Sequence, residues 1–182
     1  MKLTKFCSVL AIIFSLLFWT TDLMAQESGL RLGAGMGVGV LVAGDEHITG
    51  GFSLSPSVIV GYKGELIGIS YQNLPNVNTF RKIENAGLLD QNSVMLTIRP
   101  HKNIFIDGGP SIDFFSMYMC SNDNRCARQT GFALGGHLRI AVVGKIMSIG
   151  TGIVANAHLS FSPSRLYNGV IFTSNVGPLW EF

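Results

Sequence analysis

One pair of side chains in this chain could form a nucleophilic centre: His158 and Ser160, in the segment His158-Leu159-Ser160. A serine beside a histidine base can attack an acyl carbon, provided that an acidic side chain orients the histidine. Residues two apart on a β-strand point to the same side, so a strand would direct both groups to one face, together with Asn156. No paired carboxylates or metal-ligand spacings stand out elsewhere in the sequence, so we expect neither a metal nor a cofactor.

A second group of side chains could form a network of buried charges. Its members fall on the same strand face as the small residues: Arg31, Arg99, Arg139, Asp107, Asp113, Glu181 and His137. Three cations and three anions held away from water should pair, because an isolated buried charge is costly. We interpret the network as structural, with an ion path as the alternative.

The elements that position these residues are predicted by alternation. Eight segments alternate apolar residues with small or polar ones, which is the period of a β-strand. In the second segment, for example, Phe52, Leu54, Val58 and Val60 alternate with serine and glycine. We predict strands over residues 30–42, 52–62, 65–74, 91–100, 103–119, 129–143, 146–160 and 169–182.

The connections between these strands alternate in length. Those after the second, fourth and sixth strands are tight: Lys63-Gly64, His101-Lys102 and Gly144-Lys145. The others are longer and cover residues 43–51, 75–90, 120–128 and 161–168. Short periplasmic turns and longer external loops are the pattern of outer-membrane barrels. An even strand count then places both termini on the periplasmic side.

The first residues indicate export. Lys2 and Lys5 precede the apolar run Phe6–Trp19, and Ala25 precedes a plausible cleavage site. The run is shorter than the roughly 20 residues that a spanning helix needs, so we favour a cleaved signal peptide over a membrane anchor. We therefore predict a signal peptide at 1–25 and one domain at 26–182.

The end of the chain indicates a membrane barrel. Trp180 and Phe182 share the apolar parity of the last strand, and aromatic rings favour the membrane–water interface. Beyond residue 25 no apolar stretch approaches 18 residues, so no helix can span, and a closed barrel is the other structure that satisfies its backbone in lipid. Trp180-Glu181-Phe182 resembles the C-terminal signature of bacterial outer-membrane barrels, in which the barrel-assembly machinery recognises a terminal Phe.

A soluble barrel of the lipocalin type is the alternative fold. Its apolar parity would line a ligand cavity and its polar parity would face water. The polar parity here is mostly Gly, Ser and Thr, and the apolar parity carries almost no Lys, Glu or Asp. We therefore predict an all-β fold, an eight-stranded antiparallel up-and-down transmembrane β-barrel in the bacterial outer membrane.

Charge and cysteines narrow the function classes. The formal net charge is only +2, which argues against a nucleic-acid binder. Cys120 and Cys126 enclose five residues, and in an exported protein we expect a disulfide there, with metal binding as the alternative. Arg81, Lys82, Arg125 and Arg128 in the loops could contact lipopolysaccharide phosphates.

Two families share features with this pattern. The signal peptide, strand count, loop asymmetry and terminal aromatic residues resemble the small outer-membrane barrels of the OmpX type and the OmpA transmembrane-domain type. That resemblance implies a monomeric, non-enzymatic protein with a role in envelope integrity or surface interaction, and an interior just wide enough for polar side chains to fill. A narrow pore is the alternative.

The His-x-Ser segment is similar to the motif of the outer-membrane lipid A deacylases, which are also eight-stranded barrels. In that family a Glu on the last strand completes the triad and an Asn follows the Ser. Here Phe161 follows Ser160, and Phe172 or Asn175 stands where the acid is needed. Parity turns His158 and Ser160 inward, whereas that family acts at its lipid-facing surface. A lipid A-modifying enzyme is therefore the weakest of the three alternatives.

Overall fold

Eight antiparallel strands close into one barrel, in the order of the sequence. The computed structural model describes residues 29–44, 48–79, 86–120, 126–146, 149–163 and 169–182. The strands are β1 (Gly29–Gly44), β2 (Ile48–Lys63), β3 (Ile67–Thr79), β4 (Ala86–His101), β5 (Ile104–Cys120), β6 (Cys126–Ile146), β7 (Ile149–Phe161) and β8 (Val170–Glu181). The predicted fold class is confirmed, whereas the predicted signal peptide at 1–25 lies outside the described residues.

Alternation places each residue on one of two faces. In β1, Leu32, Met36 and Val38 are exposed on the outer wall, while Arg31 and Leu41 are buried inside. The outer wall is mostly apolar, as expected for a surface in contact with lipid. Among the described residues no helix has the length and hydropathy of a membrane span.

The strands are strongly staggered. The register can be followed once around the barrel from Gly33 through Ile59, Gln72, Ser93, Ser111, Gly135, Ser160 and Ile171 to Ala43. The path therefore returns to β1 ten residues beyond its start, which is the shear of the barrel. Hydrogen-bonded neighbours consequently differ in height, by about one residue per strand.

The two ends of the barrel differ. Gly29 and Phe182, the first and last of the described residues, lie at the end with the connections 64–66, 102–103 and 147–148, which we call the turn end. The opposite end, with the connections 45–47, 80–85, 121–125 and 162–169, is the loop end.

The long loop predicted at 75–90 is wrong, because β3 continues to Thr79 and β4 begins at Ala86. Pro75, Asn76 and Asn78 suggested a turn, but both asparagines point into the barrel, where their side chains make hydrogen bonds.

Two apolar clusters pack inside the barrel. The loop-end cluster comprises Leu41, Ala43, Leu89, Phe115, Met117, Ala133 and Ile171. The turn-end cluster comprises Ile59, Phe105, Ala141, Val143, Val154 and Leu179. The ring of Phe115 depends on a glycine opposite, since a Cβ on Gly131 would lie 2.8 Å from its Cζ.

Candidate functional site

Four charged side chains meet in the turn half of the lumen and form the charge cluster, defined as Arg31, Asp107, Arg139 and Glu181. Arg31 donates to Glu181 Oε1 from Nε at 2.8 Å and from Nη2 at 2.5 Å. Arg31 Nη1 lies 3.2 Å from Asp107 Oδ1, and Arg139 Nε lies 2.6 Å from Asp107 Oδ2. All four side chains are buried. The short distances indicate charge-assisted hydrogen bonds, the strong class of such bonds.

Strand register brings these side chains together. Asp107 on β5 lies directly opposite Arg139 on β6 and Thr97 on β4, and the Thr97 hydroxyl donates to Asp107 Oδ1 at 2.5 Å. Asp107 therefore accepts from two arginines and one hydroxyl. Glu181 on β8 is opposite Gly33 on β1, so no neighbouring side chain separates it from Arg31.

Arg99 lies apart from the charge cluster. Its Nη1 donates to the carbonyl oxygen of Gly64 at 3.0 Å and its Nη2 to that of Lys102 at 3.1 Å. Arg99 thus joins two turns at the turn end.

Three cations surround the ring of Phe105. The guanidinium carbons of Arg31 and Arg99 lie 4.5 and 5.2 Å from the ring centroid, and Lys63 Nζ lies 6.0 Å away. These distances suit cation–π contacts. The sequence prediction missed Lys63 because it assigned this residue to a turn. The signal that could have found it is parity, since Lys63 follows Ile59 and Gly61 on the inner face.

A chain of neutral hydrogen bonds crosses the middle of the lumen. One branch joins three residues: His137 Nε2 pairs with Asn156 Oδ1 at 3.1 Å, and Asn156 Nδ2 donates to Asn175 Oδ1 at 2.8 Å. His137 Nδ1 also contacts Ser93 Oγ at 3.0 Å. His137 therefore belongs to this neutral group and not to the charge cluster.

A second branch continues the chain across the other wall. Ser55 Oγ hydrogen-bonds Asn76 Oδ1, Asn76 Nδ2 donates to Gln91 Oε1 at 2.8 Å, and Gln91 Nε2 donates to Thr173 Oγ1 at 3.1 Å. Asn175 Nδ2 lies 3.5 Å from Ser55 Oγ, which links the two branches. Together they connect side chains from six of the eight strands.

The structure does not bring His158 and Ser160 together as a catalytic pair. His158 Nε2 lies 2.7 Å from Ser111 Oγ and 3.2 Å from Asp113 Oδ1. In a serine–histidine–acid relay the serine and the acid sit at opposite ring nitrogens, whereas here both face the same one. Ser160 Oγ makes no hydrogen bond with any described residue. His158 and Ser160 are buried, out of reach of a lipid substrate.

The predicted site residues therefore fall into three groups. Arg31, Asp107, Arg139 and Glu181 make direct contact, Arg99 binds turn carbonyls, and Asp113 and His137 lie with the neutral polar residues in the middle of the lumen. Within the described ranges, no three His, Cys, Asp or Glu side chains are placed to hold a metal ion.

The two aromatic residues of the predicted C-terminal signature can be located in the structure. Trp180 and Phe182 point to the outer wall, with 40% and 66% of their surface exposed. Phe182 N donates to the carbonyl oxygen of Leu32 at 2.9 Å.

The two cysteines lie directly opposite each other in the backbone register, and their side chains are outside the described part of the chain.

Comparison with known proteins shows similarity in structure rather than in sequence. No protein-family model matches the chain, and no curated protein sequence matches it. Ail, the attachment invasion locus protein of Yersinia pestis, aligns with a TM-score of 0.54 at 12% identity, over 85% of this chain and 99% of Ail. Neisserial surface protein A gives 0.54 at 12%, over 85% and 97% of the two chains.

A third similar structure is the N-terminal β-barrel domain of Pseudomonas aeruginosa OprF, with a TM-score of 0.53 at 8% identity, over 86% of this chain and all 100% of that domain. At these identities the comparison speaks to the fold alone. The chain has the fold of the small eight-stranded outer-membrane β-barrels.

Proposed function

We propose that this protein is an integral outer-membrane barrel that does not conduct ions and acts through envelope integrity or surface interaction. The observation that carries the proposal is the chain of side-chain hydrogen bonds that crosses the lumen from Ser55 through Asn175 and Asn156 to His137. An eight-stranded barrel has an interior that side chains are able to fill. The loop-end apolar cluster lies above this chain and opposes the entry of water and ions.

Conductance in planar bilayers tests the filled lumen. The refolded full-length barrel is expected to give no discrete current steps in 1 M KCl, because both the polar chain and the apolar cluster block the path. The bilayer is first shown to accept barrels by adding a known porin. Reproducible unitary steps from the purified protein would instead establish the pore alternative.

We further propose the location and orientation that the sequence indicates. In this proposal residues 1–25 are removed on export, residues 26–182 form the barrel, and the turn end with both termini faces the periplasm. The outward position of Trp180 and Phe182 at the turn end supports a role as the signal for the barrel-assembly machinery. Aromatic residues at that level also suit the membrane–water interface.

The loop end is the proposed interaction surface. Arg128 is exposed on the outer wall there, and its Nε donates to Ser116 Oγ at 2.7 Å. Arg81, Lys82 and Arg125 belong to connections outside the described residues. Ail has been solved in complex with the heparin analogue sucrose octasulfate, and a polyanion is the kind of ligand that these cations would attract. We propose lipopolysaccharide phosphates as the corresponding partner of this chain.

A charge-neutralised variant tests this surface. Replacing Arg81, Lys82, Arg125 and Arg128 by Gln is expected to weaken association with lipopolysaccharide at least about tenfold, measured by co-sedimentation with lipopolysaccharide vesicles at low salt. The matched control neutralises Lys102 and Lys145 at the turn end and is expected to bind like the wild type. Equal binding by the loop variant and the control would remove the proposal.

We also propose a disulfide between Cys120 and Cys126. Directly opposed residues of antiparallel strands have Cα atoms about 4.5–5.5 Å apart, which lies within the range that a disulfide bridges. The pairing of these two residues in the register of β5 and β6 supports the bond.

A further inference from the structure

Four polar side chains interrupt the apolar outer wall on β3 and β4. They are Tyr71, Asn73, Asp90 and Asn92, and we call them the outer polar patch. The Tyr71 hydroxyl donates to Asn92 Oδ1 at 2.5 Å. Asn73 Nδ2 donates to Asp90 Oδ1 at 2.7 Å and to Asn92 Oδ1 at 3.1 Å. All four therefore belong to one hydrogen-bonded group on the surface that faces lipid.

The patch lies within the lipid-facing band and Asn73 lies near its middle, as the neighbouring strand shows. On β2 the exposed aromatic residues Phe52 and Tyr62 mark the two ends of the outer apolar surface. The ten residue steps from Phe52 to Tyr62 span about 33 Å of strand, or about 25 Å of height at a tilt of about 40°, which is the height of a lipid-facing band. Asn73 pairs with Val58, close to the centre of this interval.

The barrel stagger refines that position. In the order β1 to β8, the partner of a residue on the next strand lies about one residue nearer the loop end than the residue itself. Asn73 therefore lies nearly midway between the levels of Phe52 and Tyr62. Asp90 pairs with Phe114 on β5, an exposed aromatic residue near the loop end. The patch thus extends from the centre of the lipid band toward its loop-end boundary.

Hydrocarbon cannot satisfy this group. Asn73 Oδ1 accepts no hydrogen bond from any residue that the structure describes. A polar atom without a partner in lipid is costly, and polar residues at this depth mark functional contacts. Lipid headgroups and water lie at the interface, too far from Asn73 to serve it. The surface that covers the patch must therefore carry donors and acceptors of its own at the same depth.

We propose that this surface is a second copy of the chain, joined through the outer polar patch about a two-fold axis along the membrane normal. Such an axis keeps each residue at the same depth as its own copy. Within the patch Asn73 Nδ2 already donates twice and Asn92 Oδ1 already accepts twice. Asn73 Oδ1 can therefore accept from Asn92 Nδ2 of the second copy, and the two-fold axis repeats that bond in the other direction. Interhelical polar contacts of this kind hold membrane segments together, and the same chemistry applies between barrel walls.

The neighbouring side chains suit such a contact. Val58, Val77, Leu88 and Ile112 are exposed around the patch and would give it an apolar rim. Asp90, the one group that a two-fold axis would repel from its copy, accepts a hydrogen bond from Asn73 and lies nearest to the interface, where water screens its charge. A dimer would differ from the monomer that the family resemblance implies.

The association is tested with the full-length barrel refolded in detergent and in phosphatidylcholine vesicles. Sedimentation equilibrium in density-matched detergent and energy transfer between labelled copies in vesicles are expected to show a dimer. The double variant Asn73→Leu/Asn92→Leu is expected to raise the dimer dissociation constant at least about tenfold, while its heat-dependent gel mobility stays that of a folded barrel. Asn92→Asp is a second disruption, because it removes the Nδ2 donor and brings a carboxylate into the lipid-facing contact.

The matched control is Ser174→Leu, which removes an outward hydroxyl across the barrel, where Ser174 pairs with Val40 and Ala157. It is expected to dimerise like the wild type. A wild type that is monomeric in both media overturns the proposal, even if native membranes yield cross-links to another protein. So do Asn73→Leu/Asn92→Leu and Asn92→Asp proteins that are folded and dimerise as tightly as the control.

Discussion

Replacing Asp107 by Ala is expected to lower the free energy of unfolding by about 3–5 kcal/mol, because it leaves two buried arginines without their shared carboxylate. Asp107 accepts hydrogen bonds from Arg31, Arg139 and Thr97, so one truncation removes three bonds. The guanidinium groups cannot shed their charge in response. Urea unfolding of the refolded barrel in lipid vesicles measures the effect, with the fluorescence of Trp180 in β8 as the probe.

Two variants complete this test. Asp107→Asn keeps the size of the side chain and is expected to destabilise in the same direction, since it removes the charge and turns one of the two acceptor oxygens into a donor. Ser70→Ala is the control, because Ser70 Oγ is buried in the lumen and makes no hydrogen bond with a described residue. If Asp107→Ala unfolds at the same urea concentration as Ser70→Ala, the charge cluster contributes nothing to stability.

The Gly39→Ala barrel is expected to close poorly, because Gly39 lies at the seam where β1 meets β8. A Cβ at Gly39 would overlap the carbonyl oxygen of Ser174 and would lie 2.6 Å from the Cα of Asn175. These are backbone atoms, so only a shift of the strands relieves the overlap, at a cost of about 1–3 kcal/mol. The fraction of chain that shows heat-dependent gel mobility is expected to fall, and urea is expected to unfold the remainder earlier.

The control for the seam is Gly136→Ala on β6. The nearest atom to a Cβ there is the carbonyl oxygen of Gly109, at 3.9 Å, so this methyl group has room. Gly177→Ala, whose Cβ would overlap the carbonyl oxygen of Met36, is expected to behave like Gly39→Ala because it meets the same seam from the other strand. A Gly39→Ala barrel that folds as well as Gly136→Ala would show that the seam tolerates displacement.

The strands and their faces could be predicted because one physical constraint acts on every residue of the outer wall. Lipid requires an apolar side chain at alternate positions. The same alternation therefore identifies the outer face at Leu54 and Val58 in β2 and at Leu134 and Leu138 in β6. The ends of β3 and β4 could not be predicted in the same way. Asn76 and Asn78 have turn-forming side chains, and only the lumen gives them partners within a strand.

The pairing inside the lumen could be predicted by residue type but not by partner. Parity identifies Arg31, Asp107 and Arg139 as inward residues, yet Arg31 meets Asp107 across 76 positions of sequence. That meeting depends on the shear of the barrel, which no local pattern contains. For the same reason the sequence did not indicate that Arg99 would bind the turn carbonyls of Gly64 and Lys102 rather than an acid.

The charge cluster also discriminates between alternative strand alignments. A slip of one residue between β1 and β8 turns apolar side chains inward and polar ones toward lipid, which is energetically costly. A slip of two residues keeps every outer side chain on the outer wall, so the contacts with lipid do not distinguish it from the native register. It would, however, carry Arg31 about 6.6 Å along its strand and break its contacts with Glu181. The ion pairs in the lumen therefore favour the native register of β1 and β8 over two-residue slips, which the alternation of apolar side chains does not distinguish from the native register.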